Sequence, residues 1–377
     1  MTEILFYCRS GYEADLLAEL EYKCAQIGQY GYAKLQKHSA VLIYSMPQLS
    51  VNAQNMPHHK INAQLPRFSD LVFARQKAII LSDLSFDTHD RVAEIIACLL
   101  TYKSDTGLPE LSDVMVEHAD TEDGKTMAKF CKKFVVPLRS AMRKTGILSK
   151  KPNNKQAYLH LLFSHSQACT LAISHANDRS EYAMGIQRLK MPSDAPSRST
   201  LKLEEAIKTF LNKHQAQALL TAGMTATDLG ACPGGWTYQL VHRGITVEAV
   251  DHGEIDEKLM ATGLVNYFSA DGFLHQPEEG NVNWLVCDMI EQPTRVSELM
   301  VSWLASGKAN ASIFNLKLPM NKRFKVVQPI LEKMHKQLSD KFGDIFISAK
   351  HLYHNRDEVT VIIIVNSQML QSYADNA

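Results

Sequence analysis

The sequence predicts an α/β protein: a C-terminal, mostly parallel sheet of seven strands covered by helices on both faces, preceded by smaller α/β units. Three observations carry this. Between residues 186 and 377 short apolar runs alternate with longer helix-periodic ones, the pattern of parallel strands joined by crossover helices. A glycine-rich stretch, Thr227-Asp228-Leu229-Gly230-Ala231-Cys232-Pro233-Gly234-Gly235-Trp236-Thr237, joins one such strand to one such helix. Upstream, residues 191–200 hold two prolines and four Ser/Thr, which marks a linker and the best domain boundary. A length of 377 residues fits two or three domains, and three regions follow: 1–60, 61–185 and 186–377.

In the first region, residues 4–8 read as a strand. Gly11 opens a helix at 12–27 with Leu16, Leu17 and Leu20 on one face, and 41–44 is a second strand. Strand–helix–strand suggests a small ferredoxin-like unit. In the second region, 77–81 and 113–117 read as strands. Residues 91–102 read as a helix with Asp87, Thr88 or Asp90 as its N-cap. A basic helix starts at Lys125 and runs to about residue 134. Pro137 lacks an N–H, so a break and restart is expected there. Strands at 158–163 and 169–174 form a hairpin across His165-Ser166-Gln167. The third region has strands at 226–229, 247–250, 265–268, 284–287, 312–315, 345–349 and 359–365. Its helices fall at 201–210, 238–242, 297–304 and 324–341.

Composition is ordinary for a globular chain, and no apolar run approaches the ~20 residues of a membrane span. Residues 1–10 have no basic stretch, so no signal peptide is expected. Seven cysteines without a C-x-x-C pair give neither zinc spacing nor a disulfide framework. The expectation is a soluble, monomeric protein of the reducing cytoplasm with no metal and no membrane contact. The 40 basic and 40 acidic residues balance overall but not locally: residues 125–155 hold ten Lys/Arg and no Asp/Glu. Phe130, Phe134 and Leu138 can anchor the apolar side of that segment. Lys125, Lys129, Lys132, Lys133, Arg139, Arg143 and Lys144 are then candidates for contact with RNA phosphates.

The glycine-rich turn lets a ligand approach the backbone, and the helix behind it offers free N–H groups. That is a nucleotide-type site. Its spacing departs from the dinucleotide fingerprint, because Cys232 stands where the second glycine belongs. A nicotinamide-dependent oxidoreductase is disfavoured for that reason. In such sheets ligands bind beyond the carboxyl ends of the strands. There the sequence places Asp251, 21 positions after Gly230, where an acid can take ribose hydroxyls. Asp271, Asp288 and Lys317 follow the next three strands, Glu358 precedes the last, and Lys202 begins a helix after the linker. Each alone fits a turn former, a helix cap or a solvated charge. Four successive strands ending in charge on the binding rim fit an active site.

The Pro-Gly-Gly loop, Ser197-Arg198-Ser199-Thr200-Leu201-Lys202-Leu203, Asp288, Lys317 and Glu358 resemble the FtsJ/RrmJ-type fold with its Lys-Asp-Lys-Glu tetrad, over about residues 190–365. The whole arrangement is similar to the RlmM family of bacterial 23S rRNA 2′-O-ribose methyltransferases. That resemblance implies a Rossmann-like catalytic domain behind a THUMP-type RNA-binding region, which would fall at 61–185. It implies S-adenosyl-L-methionine as donor, held by Ser199, Cys232, Pro233, Gly234, Gly235, Asp251, Asp271 and Asp288. It implies a cytidine of 23S rRNA as acceptor, Lys317 as general base, and Lys202, Asp288 and Glu358 in support. Another structured RNA as acceptor, or an RNA-binding module with a decayed site, are the alternatives; the presence of all four tetrad positions argues against decay.

Chemistry supports the assignment independently. Transfer from a sulfonium to a sugar hydroxyl is an in-line displacement from an activated donor, so no metal is required. Alignment is worth ~7–11 kcal/mol, and a placed base about 10²–10⁴-fold. An amine accepts the proton only when neutral. Burial and a second ammonium, Lys202, favour that form, whereas Asp288 opposes it and so is better suited to orienting Lys317. Methyltransferases of exocyclic amines carry Asn/Asp-Pro-Pro-aromatic after the fourth strand; here the residues are Asp288-Met289-Ile290-Glu291. Cys287 neighbours Asp288 and points to the opposite face, as a core thiol. Cys232 reads as a small packing residue and Trp236 as core.

Overall fold

The structure, a computed structural model, describes residues 1–49, 58–87, 90–153 and 155–371. It divides into two compact units, Met1–Gln187 and Arg188–Ala377.

In the first unit, β1 (Thr2–Tyr7), β2 (Val41–Met46), β3 (Gln76–Ser85), β4 (Asp113–Glu117), β5 (Tyr158–His165) and β6 (Ala168–Ser174) form one sheet in the order β2-β1-β3-β6-β5-β4. The strands of residues 1–60 and 61–185 therefore share a sheet. The joint is β3, whose first residues pair with β1 and whose later ones pair with β6, both antiparallel. Helix α1 (Glu13–Gln26) buries Leu16, Leu20 and Cys24, spaced by four. Helix α2 (Arg91–Thr106) is capped by Asp90, whose side chain accepts from the Ala93 N–H; of the other two candidate caps, Thr88 lies outside the described residues.

The basic segment differs from expectation in two ways. Lys125 closes a short separate turn, Glu122–Lys125, and the long helix α3 starts at Ala128. It then runs unbroken through Pro137 to Lys144. A proline inside a helix costs about 3 kcal/mol through a lost hydrogen bond and a clash. Here the apolar stripe of Cys131, Leu138 and Met142 is buried on both sides of it. Phe130 and Phe134 also set their rings edge-on against Phe163 of β5, at centroid distances of 5.0 and 5.4 Å. Each buried side chain returns about 1.5–3 kcal/mol, so tertiary packing outweighs the local penalty.

The second unit contains β7 (Thr225–Leu229), β8 (Thr246–Val250), β9 (Val265–Phe268), β10 (Val282–Cys287), β11 (Ala309–Lys317), β12 (Phe346–Lys350) and β13 (Glu358–Ile364). Their order is β12-β13-β11-β10-β7-β8-β9. The ladders from β11 through β10, β7 and β8 to β9 are parallel. The exception is β13, which runs antiparallel to both β12 and β11. Only residues 351–357 join β12 to β13, and a parallel crossover needs a dozen or more. Helices α4 (Thr200–Phe210) and α5 (Gly235–Val241) cover one set of alternate strand residues, with Leu203, Trp236 and Leu240 against Val247, Trp284 and Ile313. Helices α6 (Pro293–Ala305) and α7 (Arg323–Phe342) pack on each other, and α6 on β11. No described helix is long and apolar enough to cross a membrane.

Replacing the exposed Pro137 by Ala should restore the missing backbone hydrogen bond and stabilise the chain by roughly 1–3 kcal/mol. Thermal unfolding of Pro137→Ala checks this. A lowered midpoint would mean that the helix packs better with the proline in place.

Candidate active site

Register builds the site. Cys287 at the end of β10 lies beside Leu229 of β7 on one side and Phe314 of β11 on the other. The carboxyl ends of three strands therefore form one rim. Because β13 is antiparallel, its first residue starts at this same rim, with Glu358 opposite Lys317. Lys202 arrives from the first turn of α4.

The four charged side chains close a ring of alternating sign. Lys317 Nζ donates to Asp288 Oδ1 at 2.5 Å and to Glu358 Oε2 at 3.4 Å. Lys202 Nζ lies 3.1 Å from Asp288 Oδ2 and 2.6 Å from Glu358 Oε1. Each carboxylate thus bridges two ammonium groups, one per oxygen. Burial alone would push the Asp288 carboxyl up, but Lys317 and Lys202, with a hydrogen bond from Asn315, hold it below the usual carboxylate range. Burial likewise works against the Lys202 ammonium, yet Asp288 and Glu358 outweigh it and keep that amine above the ordinary lysine range. Lys202 is therefore a fixed cation.

The ring forms one wall of a cleft of about 560 Å³, lined also by Ser197, Ser199, residues 230–233, Trp236, Ile290, Leu318, Arg356 and Asp357. Two glycines let the loop and its neighbours close on each other. Gly230 has φ +80°, and a Cβ there would meet Met289 Cγ at 2.7 Å. A Cβ on Gly235 would stand 1.9 Å from Ser199 Oγ, so only glycine lets α5 start against the head of α4. Trp236 is buried, and among the described residues its indole N–H has no partner although the residue lines the cleft. An open backbone loop, a spare buried N–H and flanking hydroxyls suit a polar adenosyl ligand such as S-adenosylmethionine.

Of the residues nominated for donor binding, Ser199, Cys232, Pro233 and Asp288 line this cleft. Gly234 and Gly235 lie buried behind it. Asp251 adjoins it: Oδ2 accepts from the Cys232 N–H at 3.0 Å and Oδ1 from the Gly253 N–H at 2.9 Å, which leaves lone pairs on both oxygens. Asp271 is exposed, accepts from the Phe273 N–H, and does not line the cleft. Cys232 is exposed, not a packed residue, because the loop turns it outward beside Gly253. Cys287 is a core thiol, pushed up to about 12 by burial. Sequence reasoning missed Asn315, fully buried, whose amide donates to Asp288 Oδ1 at 2.8 Å. The signal was its spacing: two residues before Lys317, it shares that side chain's face of the strand.

On α3, Lys129, Lys132, Lys133, Arg143 and Lys144 are exposed. At 100° per residue they fall on one face. Lys125 pairs with Glu122 at 2.6 Å on the preceding turn. Arg139 makes a bidentate pair with Asp113, which pins α3 to β4 and occupies its guanidinium. Among the described residues no cluster of His, Cys, Asp and Glu could hold a metal ion.

Three family models match this chain in tandem. They are the RlmM ferredoxin-like domain over residues 1–78, the N-terminal region of ribosomal RNA large subunit methyltransferase M over 90–175, and the FtsJ-like methyltransferase over 195–349. The ribosomal RNA large subunit methyltransferase M of Histophilus somni strain 2336 is 43% identical over 366 residues, covering 96% of this chain and 99% of its own. That of Yersinia enterocolitica is 44% identical over 363 residues, 95% of each chain. That of Pasteurella multocida strain Pm70 is 43% identical over 371 residues, 97% of this chain and all of its own.

A further carboxyl lies under the loop. Asp228, fully buried at the end of β7, accepts from Thr237 Oγ1 at 2.6 Å, and among the described residues its Oδ1 has no partner. Burial pushes it up from 3.8 to about 7; the charges of Asp288 and Asp251 add to this, against the Thr237 hydrogen bond. The folded chain then holds a proton that the unfolded chain loses from about pH 4. Stability should fall as pH rises through that window and level off above about 7. Asp228→Asn keeps an acceptor for Thr237 without the charge. Its stability advantage over the parent should grow by up to about 4 kcal/mol between pH 4 and 8, read from urea unfolding. An advantage independent of pH would rule this out.

Proposed function

The chain belongs to the ribosomal RNA large subunit methyltransferase M family, and from that premise we propose that it methylates the ribose 2′-hydroxyl of a cytidine in 23S rRNA, with Lys317 as general base. The observation that carries this reading is the closed Lys202–Asp288–Lys317–Glu358 ring on the wall of the cleft that the glycine-rich loop opens into.

S-adenosylmethionine supplies a methyl group on a positively charged sulfur, so the acceptor oxygen needs only alignment and the loss of one proton. Ser199, the 232–233 backbone, Asp251 and Asp288 are placed to hold that donor, with Asp271 farther out on the rim. Lys317 takes the hydroxyl proton in its neutral form. The charge count around it favours the step: Asp288, Glu358 and the fixed Lys202 ammonium sum to −1, and a proton arriving on Lys317 brings the ring to zero. Glu358 and Asp288 then bind the new ammonium and draw it away from the methylated oxygen. Residues 186–377 carry this chemistry, and residues 61–185 engage RNA through the basic face of α3. Sequence-specific recognition of RNA overwhelmingly uses unpaired nucleotides whose bases can be read, so the acceptor in this reading is a loop or bulge nucleotide.

Lys317→Ala should lower methyl transfer by about 10²–10⁴-fold while calorimetry shows donor affinity close to parental. Near-full turnover would remove Lys317 from the role of base. Mass mapping of rRNA treated with the protein and labelled donor should find one 2′-O-methylcytidine in 23S rRNA; label on a base, or on a different RNA, would overturn the substrate.

Reversing Lys132, Lys133, Arg143 and Lys144 to Glu should weaken RNA binding and reduce the slope of log affinity against log salt by about three. An unaltered affinity would show that α3 faces away from the RNA.

A further inference from the structure

Beneath the ring lies a buried polar chain that none of the four charged residues explains. The register of β11 against β13 places Asn315 opposite Thr360, two rungs below Lys317 opposite Glu358 and so on the same face. Asn315, Thr360 and Asn355 are all buried. Asn355 Nδ2 donates to Thr360 Oγ1 at 2.8 Å and to the Glu358 carbonyl at 3.2 Å. Because the Thr360 oxygen receives that bond, its own proton goes to Asn315 Oδ1, at 2.6 Å. Asn315 is thereby held with its NH₂ toward Asp288 Oδ1, at 2.8 Å. From Asn355 through Thr360 to Asn315 one hydrogen bond leads to the next, and the last ends on the oxygen that Lys317 also uses.

A polar rung in the middle of a sheet is costly unless every group is paired, and Val or Ile would fill the same space at no such cost. Its effect on Asp288 is specific. The carboxylate is fixed in plane by three donors from two elements, Lys202 on α4 and both Asn315 and Lys317 on β11. In addition, the amide draws on the charge of Oδ1 and weakens its hold on the Lys317 ammonium. The charged groups around Asp288 are Lys202 from α4, Lys317 from β11, Glu358 from β13 and Asp228 from β7.

We propose that Asn315, aligned by Thr360 and Asn355, is a positioning residue that fixes Asp288 and, by sharing its Oδ1, loosens that carboxylate's hold on the Lys317 amine. This rests on Lys317 being the base, as proposed above. Single-turnover methyl transfer to 23S rRNA, followed from pH 6 to 10, tests it. Asn315→Leu is similar in volume and has no donor. Its rate near pH 7.5 should fall about 10- to 100-fold, with the KM for S-adenosylmethionine within twofold of parental. The midpoint of its pH–rate curve should move alkaline by roughly half a unit to one unit, so the deficit narrows at high pH. Thr360→Val should shift the curve the same way by less, and Thr360→Ser, which keeps the hydroxyl, should return it to the parental position.

A parental pH–rate midpoint in both Asn315→Leu and Thr360→Val overturns the proposal, whatever happens to the rate, since a packing defect lowers activity without moving the midpoint. If Asn315→Leu does not fold, the Thr360→Val and Thr360→Ser pair decides alone. Lys317→Ala, run alongside, separates the two readings. If it stays active, the base assignment fails; if it is inactive while the other variants keep the parental midpoint, only the role of Asn315 fails.

Discussion

Four charges taken largely out of water would ruin this fold if any one were left alone. A buried ion costs several kcal/mol after relaxation, and only close, well-directed partners repay that. The ring meets the condition by alternation: each ammonium lies between two carboxylates, and each carboxylate presents one oxygen to each ammonium. Truncating one member would leave its two neighbours each with a single partner of opposite charge in the ring. The geometry of the C-terminal unit can be understood as what is needed to deliver four side chains to one place from α4, β10, β11 and β13.

Delivery depends on strand direction. Asp288 and Lys317 reach the rim because β10 and β11 are parallel neighbours and both end there. Glu358 reaches it for the opposite reason: β13 runs backward, so its beginning meets the end of β11. A short connection that excludes a crossover helix thus completes the ring. The same antiparallel register stacks Asn315 and Thr360 directly under Lys317 and Glu358, so the support beneath the charges follows from the pairing that assembles them. The loop side of the cleft relies on absence of bulk: without a side chain at Gly230 and Gly235, Met289 and Ser199 can close on it.

The N-terminal unit shows a different balance of forces. A proline in the middle of α3 should end the helix on local grounds, yet the buried stripe on either side keeps it continuous. The consequence is a single basic face five residues strong, where a broken helix would have split it in two. Charge counting along the chain found that face but could not divide its members into exposed ammonium groups and the one guanidinium, Arg139, that anchors the helix to Asp113.

What the sequence by itself determined is the set of elements and the chemistry they carry. Its apolar periodicity located the seven strands of the C-terminal sheet, and its loop spacing set Cys232 apart from the dinucleotide fingerprint. Charge recurring at successive strand ends, together with the resemblance of the motifs around it, marked Lys202, Asp288, Lys317 and Glu358, although each alone fits a cap or a solvated charge. Tertiary structure alone decided three things. It ran β13 antiparallel, it pairs both carboxylates with Lys202 so that this lysine remains charged, and it placed Asn315 and Thr360 under the ring. Each is a relation between residues dozens of positions apart, set by which strand neighbours which and in what register. Local patterns do not encode that, because a strand's periodicity is the same in either direction.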